Sequence, residues 1–152
     1  MEIDPRGPRT AAPITAVVLA AVLVTGSGWL LAVQVLVFAA GAVFGLRYSP
    51  YGVLYRKLIR PRLGPPRELE SEAPPRFAQA VGLVFAVAGV AGYAAGLTLL
   101  GAAATAAALV AAFLNGAFGF CLGCEMYLLI RRIRPGRPAL ADPGLAENSA
   151  GR

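Results

Sequence analysis

The sequence predicts an all-α integral membrane protein with four transmembrane helices arranged as two hairpins, together with interfacial amphipathic helices. Of its residues, 57% are hydrophobic and only 14% are charged, whereas about a quarter of a soluble domain is charged. The apolar residues form two long blocks, 11–46 and 77–130, and every Lys and Arg lies outside them. Because cytoplasmic loops carry the excess of Lys and Arg, we expect a multi-pass protein of the cell membrane with cytoplasmic N- and C-termini.

The chain opens with a polar segment followed by the first hairpin. Residues 1–10 combine two arginines with Glu2 and Asp4, which is a poor signal-peptide n-region, so we expect this cytoplasmic N-terminus to be retained. As one helix, residues 11–46 would span about 54 Å at ~1.5 Å per residue, more than a ~30 Å hydrocarbon core. The turn signal at residues 25–28 (TGSG) therefore divides transmembrane hairpin 1 into spans of roughly 11–26 and 29–46.

Residues 47–76 are predicted to form a cytoplasmic interfacial helix and a linker. Ser49 and Pro50 favour a helix start, and the amphipathic pattern of 51–60 is typical of a helix lying on the anionic inner leaflet. We expect Pro61, Pro65 and Pro66 to end that helix. The acidic residues of the linker, which we expect to be solvated, are Glu68, Glu70 and Glu72. The residues assigned to the interfacial aromatic belt are Tyr48, Tyr51, Tyr55 and Tyr127.

Residues 77–134 are predicted to form transmembrane hairpin 2 with a CxxC segment. Its spans are expected at about 77–97 and 101–120, with the two cysteines beyond them. Residues 135–152 are rich in Pro, Gly and Ala and are expected to form a disordered cytoplasmic tail.

The two halves of the chain resemble copies of one unit. Pro8-Arg9 matches Pro75-Arg76, and the spacing from Gly45 to Pro61 recurs from Gly119 to Pro135. A two-span unit repeated once keeps its orientation, so this would be a parallel internal repeat. When the two halves are aligned on these matches, the cysteines fall at the cytoplasmic membrane surface, at or just before a helix N-terminus.

Cys121 and Cys124 are the chain's only cysteines and the main candidates for catalysis. Free N–H groups at a helix N-terminus stabilise a thiolate, and if the segment is continuously helical the i, i+3 spacing still puts both sulfurs on one face. Either geometry allows a disulfide, and a dithiol that cycles suits the reducing cytoplasm better than a permanent structural disulfide. The alternative is two small apolar residues that only pack.

Three other polar residues lie at or inside the spans, and for each of them a functional role is compared with a structural one. Glu125 is a third catalytic candidate, because it could accept a proton from a cysteine or pair with an arginine such as Arg47; the alternative is a solvated carboxylate. Gln34 and Asn115 are expected to bond between helices. The glycines assigned to close helix packing are the pairs Gly41/Gly45 and Gly92/Gly96.

Several functional classes are disfavoured. The basic residues do not form a stripe interleaved with stacking aromatics, so nucleic acid is not an expected partner. There is no Walker loop, no HExxH and no histidine for a triad. Zinc would need two further ligands, although two thiolates can hold a soft metal ion linearly. No cofactor or metal is assigned.

The sequence resembles a family of uncharacterised actinobacterial membrane proteins, domain-of-unknown-function family 4395. The segments that carry the resemblance are 3–9 (IDPRGPR), 49–50 (SP), 60–63 (RPRL), 65–66 (PP), 74–79 (PPRFAQ) and, most specifically, 119–125 (GFCLGCE). It covers residues 1 to about 134 and implies a four-span plasma-membrane protein without an assigned activity. It also implies genes for thioredoxin-like and sulfurtransferase proteins nearby, and hence such a protein as partner.

The favoured function is a membrane thiol-redox or sulfur-relay protein, in which one cysteine attacks a disulfide or persulfide and the other resolves the product. A second hypothesis is a small transporter or channel component for a thiophilic solute or metal ion, which four short spans would support only as a homo-oligomer. A third is a structural or assembly subunit. Whether the protein is an enzyme stays open at this point.

Overall fold

The computed structural model describes residues 2–64 and 69–133; the expected tail, 135–152, lies outside these ranges. Nearly all of the described chain is helical. Its elements in order are β1 (Glu2–Ile3), α1 (Arg6–Thr25), α2 (Gly28–Val43), α3 (Pro50–Leu54), a π-helical turn (Tyr55–Ile59), α4 (Arg60–Leu63), β2 (Glu70–Ser71), α5 (Ala73–Ala94), α6 (Thr98–Phe118) and α7 (Leu122–Ile133).

Four apolar helices form the body of the protein. α1 packs against α6, and α5 packs against both α2 and α6. The core between them consists of small and aliphatic side chains with one aromatic ring: Leu19, Val22, Leu31, Phe38, Ala86 and Ala108. The outward faces are also apolar; Val24 and Trp29 are each 87% exposed. A bundle that is apolar on the outside as well as the inside is typical of a lipid environment.

Three of these helices are long and apolar enough to cross a membrane in the described part of the chain: α1, α5 and α6. α2 is also apolar, but it has 16 residues, which at ~1.5 Å per residue gives about 24 Å. The structure therefore supports an all-helical membrane protein with three clear candidate spans.

Small residues set the distance between α5 and α6. A Cβ added at Gly92 would lie 2.7 Å from the backbone nitrogen and 3.0 Å from the Cα of Gly101. This confirms a packing role for Gly92, since no side chain fits between the two backbones. Its sequence partner Gly96 has open space around it and a φ of +74°, so it serves the turn after α5 instead.

The segment between the two pairs of long helices is tied to α1 rather than lying free. Tyr55 is only 4% exposed, and its hydroxyl donates a hydrogen bond of 2.8 Å to Oδ2 of Asp4. Burial, reinforced by the hydrogen bond to Asp4, raises the pKa of Tyr55 to about 12. Tyr51 donates to Oε1 of Gln34 at 3.0 Å. Both tyrosines, which were assigned to the interfacial aromatic belt, therefore make internal polar contacts, and Tyr55 is buried among protein groups.

The helix continues past Pro61, three residues beyond the expected end at residue 60; Pro65 and Pro66 lie outside the described residues. Helical structure continues to Leu63, and the turn before the proline is widened, with the N–H of Arg60 donating to the carbonyl of Tyr55. A proline ring clashes with the carbonyl four residues earlier in a regular α-helix. A π-helical turn just before the proline is a known way to accommodate such a disruption.

Glu72 is not part of a solvated linker. It is 5% exposed, and its Oε1 accepts a hydrogen bond of 2.9 Å from the backbone N–H of Leu46. Four residues later, Nη2 of Arg76 donates to the carbonyls of Ala42 and Val43, each at 2.9 Å. The last carbonyls of a helix have no partner within the helix. At the end of α2, Arg76 binds two of these carbonyls and Glu72 binds the N–H of Leu46, three residues beyond the helix.

Candidate functional site

The two cysteines lie in the short connection between α6 and α7. α6 ends at Gly119, whose φ of +68° is in the left-handed region that favours glycine. The N–H groups of Gly119 and Phe120 donate to the carbonyls of Asn115 and Leu114 at 3.1 and 3.2 Å. This turn redirects the chain so that α7 can begin at Leu122, one residue after Cys121.

Cys121 caps the N-terminus of α7 with its sulfur. The backbone N–H of Cys124 donates to Sγ of Cys121 at 3.3 Å, and the N–H of Glu125 donates to the Cys121 carbonyl at 3.0 Å. Cys124 lies in the first helical turn. The alignment of the two halves of the sequence puts Cys124, rather than Cys121, at the start of the helix. In the structure α7 begins at Leu122, so Cys121 lies just before the start and Cys124 just after it.

Cys121 and Cys124 are joined by a disulfide, with their Cα atoms 5.2 Å apart. The CxxC spacing allows such an intramolecular disulfide. Both residues are half-buried, so the pair is neither enclosed in the bundle nor fully open to solvent. In this state neither sulfur is a thiolate ligand, and the described residues contain no group of three or more His, Cys, Asp or Glu that could hold a metal ion.

Gly123, between the cysteines, fixes the pair against α5. A Cβ at Gly123 would lie 2.6 Å from both the Cα and the Cβ of Ala78. One turn further, the rings of Tyr127 and Phe77 are 5.7 Å apart between centroids, and the Arg131 guanidinium lies 5.9 Å from the Tyr127 centroid. α7 is therefore held on α5 by a backbone contact at one end and an aromatic contact in the middle.

A cavity of about 380 Å³ opens beside the cysteines; we call it the cysteine cavity. Both cysteines line it, as do Glu125 of α7, Asn115 of α6 and Arg9 of α1. The guanidinium carbon of Arg9 is 3.7 Å from where a Cβ would stand on Gly119, so this positive charge lies close to the turn that carries Cys121. Three helices that are distant in sequence thus bring polar groups to one thiol pair.

The structure brings the three predicted site residues together but adds others. Glu125 is exposed and lines the cysteine cavity, whereas Arg47, the partner suggested for it, lines a different cavity. Arg9 and Asn115 were missed as site residues. Arg9 was interpreted as a topological charge. For Asn115 a bond between helices was preferred to a functional role. The recurrence of Pro-Arg before each hairpin was the one available signal for Arg9.

Comparison with known proteins identifies one relationship. The model of the family described as Domain of unknown function (DUF4395) matches residues 3–132, which includes every residue of the cysteine cavity. No curated protein matches the chain, and no solved structure does.

Proposed function

The chain belongs to the family Domain of unknown function (DUF4395), and we propose that it is a membrane thiol-redox or sulfur-relay protein whose reacting groups are Cys121 and Cys124. The observation that carries the proposal is the placement of a bonded CxxC pair at the first turn of a helix, in the wall of an open cavity that Arg9, Asn115 and Glu125 also line. Two cysteines that served only as packing residues would be expected inside the bundle, among the apolar core residues.

Cys121 is the proposed attacking residue. Its sulfur accepts the Cys124 N–H, and the same N–H would stabilise a thiolate there, assisted by the partial positive charge of the α7 N-terminus. Arg9 adds a full positive charge to the same cavity. Glu125 is exposed at the cavity wall and is the proposed acceptor for a cysteine proton.

The proposed reaction is two successive thiol–disulfide exchanges. The Cys121 thiolate attacks one sulfur of a partner disulfide, forming a mixed disulfide and releasing the partner's other sulfur as a thiolate. The Cys124 thiolate then attacks Sγ of Cys121, which forms the intramolecular disulfide and releases the second partner thiolate. Two electrons pass to the partner, and the two thiol protons end on its sulfurs.

A persulfide, R–S–SH, would react by the same two steps. Cys121 would take the outer sulfur and release R–S⁻, and attack by Cys124 would then release hydrosulfide while the pair becomes oxidised. In either case the proposed partner is a soluble thioredoxin-like or sulfurtransferase protein. Such a protein already carries the disulfide or persulfide that this chemistry needs.

We also propose that α2 is a fourth span and that the two helix pairs are parallel repeats. α2 packs along the 22-residue α5 and buries Leu31, Gln34 and Phe38. α2 and α6 are both followed by a glycine of positive φ, Gly45 and Gly119, and then within a few residues by a helix start. With four spans, both termini and the cysteine cavity lie on one side, and the distribution of Lys and Arg makes that side cytoplasmic.

The test is the pH dependence of alkylation in membrane vesicles, with each cysteine kept alone by a Cys→Ser change of the other. We expect Cys121 in the Cys124→Ser variant to react with an apparent pKa well below the ordinary value of about 8.5. The comparator is Thr25→Cys in a background lacking both native cysteines. Thr25 is exposed at the C-terminal end of α1, where the partial charge of that helix is negative; in the described part of the chain, the one N–H that its side chain accepts is that of Ser27.

A second readout addresses the reaction itself. The Cys124→Ser variant should trap a mixed disulfide with an oxidised thioredoxin-like protein, whereas Cys121→Ser should not. If both thiols stay unreactive until the membrane is dissolved, the cysteines are packing residues and the proposal fails. If the pair binds one soft metal ion per chain and exchanges with no disulfide, a transport or binding role replaces the redox role.

A further inference from the structure

A second cavity, of about 370 Å³, lies next to the cysteine cavity, and no part of the proposed redox chemistry uses it. It is enclosed by the chain's N-terminal segment, the turn after α2 and the helical segment 50–63. Ile3 and Pro8 belong to the walls of both cavities. We call it the arginine cavity, because Arg47, Arg56 and Arg60 all line it.

The charge balance of the arginine cavity is positive. Among the described residues, 2–64 and 69–133, Asp4 is the one acidic residue in its lining, and both Asp4 oxygens already have partners. Oδ1 accepts the backbone N–H of Arg6 at 3.0 Å, and Oδ2 accepts the Tyr55 hydroxyl at 2.8 Å. The carboxylate is thus held by the fold, and the described lining combines three arginines with one acidic residue.

Arg56 is held in place and has donor capacity to spare. Its Nη2 donates to the carbonyl of Arg47 at 2.9 Å, while its Nε is buried and has no hydrogen-bond partner in the described ranges 2–64 and 69–133. Leaving such a donor without a partner is unfavourable, so an added acceptor at this position would be stabilised. Ser49, with only 5% exposure, adds a hydroxyl to the same wall.

We propose that the arginine cavity binds one phosphate group, either the phosphodiester of an anionic phospholipid or a free phosphate. Guanidinium groups present paired N–H donors that match phosphate oxygens, and several of them can share the oxygens of one phosphate. The volume lies at the lower end of the range of small-molecule pockets, which is about 300–1,000 Å³. A headgroup or a small phosphate fits this size.

The experiment uses the full chain in nanodiscs of phosphatidylcholine. One arm adds inorganic phosphate and follows binding by calorimetry; the other replaces a fraction of the lipid with phosphatidylglycerol and counts retained phosphatidylglycerol by native mass spectrometry. We expect saturable binding of one probe per chain. Phosphate binding in neutral nanodiscs identifies a soluble ligand, and retention of one phosphatidylglycerol alone identifies a lipid.

Matched variants separate a site from general surface charge. Arg60→Gln and Arg56→Gln should each weaken binding by roughly tenfold or more, because a charge-assisted hydrogen bond is lost. Lys57→Gln removes the same charge from the residue next to Arg56, but Lys57 does not line the cavity, so it should change binding less than about twofold. Arg60 is exposed, so its variant is expected to fold even if Arg56→Gln does not.

The proposal is overturned if neither probe binds saturably, or if Lys57→Gln weakens binding as much as Arg60→Gln. Because none of these variants touches Cys121 or Cys124, the alkylation experiment can fail while this one succeeds, and the reverse also holds.

Discussion

Gly123 is the residue that holds the cysteines against the bundle. The backbone of α5 passes so close at Ala78 that even a methyl group on Gly123 would overlap both its Cα and its Cβ. The glycine of the CLGC segment is therefore set by contact between helices rather than by backbone conformation, since a positive φ occurs at Gly119 and not at Gly123.

We predict that Gly123→Ala displaces α7 and destabilises the protein. Overpacking of this kind typically costs about 1–3 kcal/mol, and the gain from alanine's better helix propensity, roughly 1 kcal/mol, does not offset the upper part of that range. The measurements are the unfolding midpoint in bicelles and the rate at which a reductant opens the Cys121–Cys124 disulfide, which we expect to rise.

The control for this change is Gly28→Ala. An added Cβ there would be 3.4 Å from its nearest neighbour, the Cβ of Tyr93, which is an ordinary contact. If both alanine variants behave like the native protein, α7 does not depend on the approach to Ala78, and the position of the cysteines is set elsewhere.

At the scale of the elements, the end of α2 depends on the start of α5. Gly45, just beyond α2, has a φ of +94°, and a Cβ there would lie 2.5 Å from Oε1 of Glu72. The carboxylate thus occupies the space that a side chain would take and accepts the Leu46 N–H. This contact joins the first helix pair to the second.

We predict that Glu72→Ala destabilises the protein by about 1–3 kcal/mol, because it leaves the buried Leu46 N–H without an acceptor. Glu72→Gln should lose less stability, since its amide oxygen can accept the same hydrogen bond. Glu70→Ala is the control, because Glu70 is exposed two residues earlier. Chemical unfolding in mixed micelles gives the free energy of unfolding of the three variants. If Glu70→Ala and Glu72→Ala lose the same amount of stability, Glu72 does not have the assigned role as acceptor for the Leu46 N–H.

The helices could be predicted from the sequence, but the contacts of the connecting segment could not. Long apolar blocks and turn glycines indicate spans directly, because each residue contributes to hydropathy independently of the others. Glu72 and Tyr55 have ordinary polar or interfacial character in the sequence. Their burial depends on which helix end or carboxylate they meet in space, and no local pattern carries that information.

At the scale of the whole molecule, both cavities are products of the way the two helix pairs combine. The cysteine cavity takes Arg9 from the first helix, Asn115 from α6 and the thiol pair from α7. The thiol pair and Glu125 could be identified from the sequence because they lie within five consecutive residues. No local spacing connects Arg9 with the cysteines, because it lies more than a hundred residues away from them along the chain; the repeated Pro-Arg marks Arg9 but not its place in the cavity.

The number of spans decides on which side of the membrane these cavities open. If α2 crosses, the segment after it lies on the side opposite the α1–α2 turn; if α2 does not cross, the two lie on the same side. α2 is shorter than a ~30 Å hydrocarbon core requires at ~1.5 Å per residue. A short span is accommodated by local thinning of the bilayer, at a cost of a fraction of a kcal/mol per Å of mismatch.

We predict that α2 crosses, and cysteine labelling in intact cells can decide it. In a background lacking Cys121 and Cys124, a membrane-impermeant maleimide should label Thr25→Cys and Leu97→Cys, at the two turns, but not Leu63→Cys, at the end of α4. All three positions are exposed, so all should react after lysis, which controls for local burial. Labelling of Leu63→Cys together with Thr25→Cys would mean that α2 does not span. It would also contradict the hydrogen bond between Tyr55 and Asp4, because Asp4 precedes α1 and lies across the membrane from Thr25 if α1 spans.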